Sequence, residues 1–110
     1  GYSICHEGKK FTYLCDNEYE SSQLETLTYF AEGSDLVIWD GMFTDAELES
    51  KKGWGHSSIE QAMTFFGHGD ISTMLISHHA PSRTDDELDA LAKTLPEGIS
   101  FAKDGLEVTL

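Results

Sequence analysis

Basic residues are scarce in this chain: 7 lysines and arginines stand against 20 aspartates and glutamates, a formal charge of −13. That field repels phosphate backbones, and no cationic cluster interrupts it, so the stretch alone is not expected to bind nucleic acid. Long hydrophobic runs are missing too. None approaches the roughly 20 residues of a membrane span, so no membrane partner is expected. Cysteine is limited to Cys5 and Cys15. They flank a candidate hairpin, across which they can face each other, but read first as free thiols of a reducing, cytoplasmic compartment. The two prolines, Pro81 and Pro96, each fall where an element has to end. No internal repeat, low-complexity tract or linker breaks the 110 residues, which amount to one domain or part of one. The opening Gly1-Tyr2-Ser3-Ile4 lacks an initiator methionine and enters a strand pattern at once, as the middle of a longer protein does.

What is present alternates between strand and helix signals. Residues 2–6 alternate, Glu7-Gly8 turns, and residues 11–15 run apolar, which predicts a β-hairpin. Ser22-Gln23-Leu24-Glu25 is a capping box for a helix carrying Leu24, Leu27 and Phe30, stopped by Gly33. Leu36-Val37-Ile38-Trp39 is too apolar to be half-exposed and reads as a central parallel strand leaving through Gly41. Further boxes at Thr44-Asp45-Ala46-Glu47, Ser57-Ser58-Ile59-Glu60 and Thr84-Asp85-Asp86-Glu87 each predict a helix. Residues 71–77 form another buried strand, and residues 99–102 and 106–110 a last hairpin turning at Asp104-Gly105. The order β-β-α-β-α-α-β-α-β-β means α/β with a mixed, partly parallel sheet.

Three of these strands end, in turn, in Asp16, Asp40 and His78, while a loop flanked by Gly53 and Gly55 supplies His56. Ligands gather at the carboxyl ends of strands in open α/β sheets. Carboxylates and imidazoles on one rim suit Zn²⁺, Mn²⁺ or Fe. Each residue also has a plainer reading: a turn for Asp16, a strand-end cap for His78, a helix cap for His56 before Ser57. His79 faces away from His78 and reads as structural, because strand neighbours point to opposite sides. His6 and His68 read as surface residues, and Asp45, Asp85, Asp86 and Glu87 as helix-start acids. Trp39 and Trp54 read as packing residues rather than substrate platforms. Arg83, the cation near the His78 loop, suits either a substrate phosphate or a surface ion pair.

The blocks Leu14-Cys15-Asp16-Asn17, Ile38-Trp39-Asp40-Gly41-Met42-Phe43, Gly53-Trp54-Gly55-His56-Ser57-Ser58 and Ile76-Ser77-His78-His79-Ala80-Pro81 carry a resemblance. Together they resemble the C-terminal half of a metallo-β-lactamase-fold hydrolase, in the phosphodiesterase and RNase Z-like branch. The resemblance implies that residues 1–110 form half of an αββα sandwich, a mixed sheet with helices packed on it. It implies Asp16 as the metal ligand shared by two divalent cations, Zn or Mn, and His78 as the last histidine ligand. It implies Asp40 and His56 as the catalytic pair that helps protonate the leaving oxygen, a carboxylate behind an imidazole fixing its tautomer and raising its basicity. Two departures stand out. The acid sits in Trp39-Asp40-Gly41, where the endonucleases have His-Glu-Ala, and the HxHxDH motif is absent. Two protein ligands fall short of the three usual at catalytic zinc, so the chain taken alone is expected to lack full activity.

Two functions from different classes follow. One is part of a metal-dependent hydrolase of small phosphodiester-like substrates, acting through a metal-bound hydroxide. The other is a non-catalytic half-domain that associates with a separate N-terminal half or with a second copy of itself. A thiolesterase or β-lactamase role fits the Gly-Trp-Gly-His block less well.

Overall fold

The structure, a computed structural model, describes residues 1–110. Strand β1 (Tyr2–His6) and strand β2 (Lys9–Leu14) form the hairpin; Glu7 and Gly8 both take positive φ, the geometry of a tight hairpin turn. Helix α1 (Leu24–Ala31), strand β3 (Leu36–Asp40), the short helix α2 (Asp45–Leu48) and helix α3 (Ile59–His68) follow. Strand β4 (Met74–Ser77), helix α4 (Asp85–Ala92) and strand β5 (Ile99–Phe101) complete the order. The sheet runs β1-β2-β3-β4-β5, antiparallel in its first pair and parallel in the other three.

That topology explains where the core lies. Three parallel crossovers stepping the same way across a sheet are each right-handed, so their helices fall on one face. There Leu14, Val37, Trp39, Met74, Ile76 and Ile99 meet Ala31, Ile59, Ala62 and Phe65. Trp39 stacks on Phe65 at 4.9 Å, with Tyr19 at 5.6 Å from Trp39, and the indole Nε1 donates to the Ser58 carbonyl. Trp39 is thus a packing residue.

The opposite face is sparsely covered: Tyr2, Ile4 and Tyr13 stay exposed, and Leu110 shares a shallow groove with Ile4 and Phe11. This corrects the expected last hairpin. Asp104-Gly105 does turn, with Gly105 at φ 80°, but residues 106–110 form no strand. Instead of returning along β5, the chain end reaches the β1-β2 edge of the sheet.

Two caps also differ from expectation. The first box is Glu20 with Gln23 around a short 3-10 turn (Ser21–Gln23), not Ser22 with Glu25. The α3 box is Ser58 with Gln61, which frees Ser57 for other work. The boxes at Thr44 and Thr84 form as expected. The carbonyls ending α1 are met from β2 by Lys10 Nζ, at 2.8 Å from both Phe30 O and Glu32 O. Cys5 pairs in register with Lys10, not with Cys15, and both thiols are free.

Candidate metal centre

The site sits where β2, β3 and β4 stop. Asp16 follows the end of β2, Asp40 is the last residue of β3, and His78 follows β4. Asp16 and His78 adopt φ of 53° and 60°. Left-handed backbone is uncommon outside glycine, and here it turns both side chains back over the rim. Gly41 allows a close approach of two strands. A Cβ there would lie 2.1 Å from Ile76 Cγ2, so the absent side chain lets β3 leave close against β4.

Asp40 is fully buried and saturated with hydrogen bonds. Its Oδ2 accepts the Asp16 backbone N–H at 3.1 Å and faces His56 Nδ1 at 2.9 Å and His78 Nδ1 at 3.1 Å. Its Oδ1 accepts from the backbone N–H groups of Met42 at 3.2 Å and Ser57 at 3.3 Å. A carboxylate in that position holds His56 as an Nδ1–H donor, which leaves its Nε2 free to exchange a proton, while His78 Nδ1, between Asp40 and Asp16, is the ring atom placed to meet a cation. Asp16, by contrast, is largely exposed, and its Oδ1 lies 3.4 Å from His78 Nδ1 and 3.8 Å from His56 Nδ1. The two rings meet edge to face at 4.7 Å.

One ligand atom from each of Asp16, Asp40, His56 and His78 falls within 4.8 Å of the others, so the structure brings all four residues together. Two carboxylates and two imidazoles at that spacing are a donor set for a divalent cation of the zinc or manganese kind. The residues therefore fit a metal.

Ser57 and Asn17 are the site residues that sequence reasoning missed. Buried Ser57 holds Tyr19 N–H at 2.9 Å on its Oγ, donates to the Asn17 carbonyl, and braces Asp40 through its own N–H. Two adjacent serines before a helix show that only one of them can be the cap, but not which one. Cys15, beside Asp16, is a poor nucleophile at neutral pH. Burial foremost, opposed by a hydrogen bond from Tyr13 and reinforced by Asp40 and Asp16, pushes its thiol up to about 11. Tyr13 is raised as well, first by the nearby Cys15.

The remaining histidines and Arg83 lie outside the cluster. His79 Nε2 lies 3.1 Å from the Ala102 carbonyl and its ring packs on Phe101, a structural tie between β4 and β5. His6 is exposed, and His68 is the last residue of α3. Arg83 is engaged by Glu47 at 2.5 Å and by the Met42 carbonyl at 3.2 Å, so it staples α2 and the Asp40 loop together instead of facing substrate. The guanidinium, chiefly, holds the Glu47 carboxyl below its ordinary value.

No family model matches the chain. It is 29% identical over 86 residues to a ribonuclease Z of Nitrosopumilus maritimus (strain SCM1), covering 76% of this chain and 28% of that protein. A ribonuclease Z of Agathobacter rectalis is 32% identical over 83 residues, covering 73% and 26%. The chain thus spans just over a quarter of the length of these curated relatives. A solved structure described as a new diphosphatase from the PhnP family superposes with a TM-score of 0.61 at 16% identity, over 99% of this chain and 38% of that one. Over the stretch it shares with these proteins, the chain has the metallo-β-lactamase fold.

Proposed function

We propose that the chain is part of a metal-dependent hydrolase of small phosphodiester-like substrates. The observation that carries this reading is the convergence of Asp16 Oδ1 and His78 Nδ1 at 3.4 Å, over a buried Asp40 that faces both imidazoles. Asp16 and His78 would hold the cation, Zn or Mn. When bound, the metal supplies an activated water and a charge that steadies the phosphoryl oxygens. The protein's own part is proton handling and alignment. Asp40 keeps the proton on His56 Nδ1, so His56 Nε2 can deliver a second proton to the leaving oxygen. Ser57 and the backbone N–H of Asp16 keep Asp40 from turning away.

With Asp40 and His56 given to proton handling, the two side-chain ligands that remain leave a catalytic cation short, and the sparsely covered sheet face is where further layers of the fold can pack. We therefore assign the remaining ligands to an upstream half that packs there, which also makes the chain alone inactive. The free thiols accord with a cytoplasmic setting. The test is to express the chain with its upstream half and assay bis(p-nitrophenyl) phosphate with Mn²⁺ or Zn²⁺. Turnover that disappears on Asp16→Ala and His78→Ala is the expected result; no turnover above that double variant defeats the proposal.

One observation favours a second reading, association without catalysis. Tyr2 at 72%, Ile4 at 58% and Tyr13 at 38% exposure put apolar surface on the β1-β2 edge. In that reading the chain pairs with a separate N-terminal half or a second copy. Light scattering decides: a monodisperse monomer at tens of micromolar rules out self-pairing.

A further inference from the structure

Trp54 is the packing residue that does not pack. It is 61% exposed, whereas the other tryptophan, Trp39, is buried to 1%. Its loop holds it outward through Gly53 and Gly55 on either side, at φ of 87° and 89° with open space around them. That is backbone only glycine adopts freely. The loop is anchored from beneath, the Gly53 N–H donating to Glu18 Oε1. The indole meets Phe43 edge to face at 6.5 Å, and Phe43 meets the His56 ring at 6.1 Å, so one aromatic spacer separates Trp54 from the metal centre.

Cations complete the feature. Lys51 Nζ lies 4.1 Å from the indole centroid, and Lys52 is next in the chain. Neither lysine is in an ion pair, whereas Lys9 and Arg83 are. In a chain of charge −13, a lysine outside any ion pair, resting on one face of an exposed indole, is the local exception. The geometry points to Trp54 as a stacking platform for a planar aromatic ring carried by the phosphodiester substrate, with Lys51 and Lys52 attracting its phosphate. The inference rests on the hydrolase reading and adds the specificity that reading lacks. Stacking tolerates any flat ring, nucleobase or aryl, because each presents a π face. A phosphate alone has none.

Calorimetric titration of the 110-residue chain in EDTA tests this apart from metal chemistry. The probes are adenosine 5′-monophosphate, phenyl phosphate and ribose 5-phosphate. Both aromatic phosphates, or the nucleotide alone, should bind more tightly than ribose 5-phosphate; the first result identifies any aryl ring as sufficient and the second a nucleobase. Trp54→Ala should weaken that binding roughly tenfold or more, and Trp54→Phe should retain most of it. An unchanged melting temperature in both variants, expected for an exposed side chain, separates lost stacking from lost fold. Equal affinity for the three probes, no binding of any, or an unaffected Trp54→Ala overturns the platform. The hydrolase reading is judged separately, by turnover of bis(p-nitrophenyl) phosphate. Turnover without an aromatic preference removes only the platform, and an aromatic preference without turnover removes only the hydrolase.

Discussion

At the scale of single residues, Asp40 decides more than any other position. One buried carboxylate accepts three backbone N–H groups and faces two imidazoles, so losing it misaligns both histidines at once. Asp40→Ala is expected to weaken Zn²⁺ or Mn²⁺ binding about 10–100-fold, read by competition with a chelating dye. Asp16→Gly should abolish metal binding yet raise the stability of the metal-free chain by about 1 kcal/mol in urea, because glycine relieves the φ of 53°. Exposed Cys5 should alkylate with iodoacetamide well before Cys15, whose raised thiol stays protonated at neutral pH; peptide mass mapping over time reads the order. The four clustered residues were legible in the sequence because each follows a strand or a glycine, places where polar groups are free to serve a ligand. Ser57 was not, because a serine before a helix looks the same whether it caps the helix or braces a neighbour. Nor was the exposure of Trp54, since an aromatic between glycines carries no mark of which way its loop turns.

At the scale of elements, strand and helix identities followed from periodicity and capping chemistry, while their edges did not. The Ser57-Ser58 pair offers two overlapping boxes, and tertiary contacts choose between them: Asp40 and Tyr19 claim Ser57, and the helix takes Ser58. Ser58→Ala should therefore cost about 1 kcal/mol as a lost cap. Ser57→Ala should cost about 1–3 kcal/mol, because the Tyr19 N–H is left buried without a partner. Chemical denaturation of the two variants checks the order. The missing last strand has a comparable cause. Residues 106–110 have strand-like composition, but Leu110 ends in the groove on the open sheet face while Leu106 and Val108 stay exposed, a destination no local pattern records.

For the whole molecule, one-sided crossovers place every helix on one face and every clustered side chain at one rim, and this part of the fold was readable from the alternation of elements. The acid balance makes a further prediction. Glu47, drawn down mainly by Arg83, and Asp35, drawn down first by the Lys10 N–H, both have folded values below their ordinary 4.5 and 3.8. Their stabilisation is complete above that carboxylate range and is lost as pH falls through it. Melting temperature should drop below about pH 4, and Glu47→Gln should flatten part of the drop. The most direct test of the metal centre is Zn²⁺ titration of the chain by calorimetry, beside Asp16→Ala and His78→Ala. Saturable binding that each substitution weakens at least tenfold is the predicted result. Binding of equal strength in all three proteins would contradict the assignment of Asp16 and His78 as ligands.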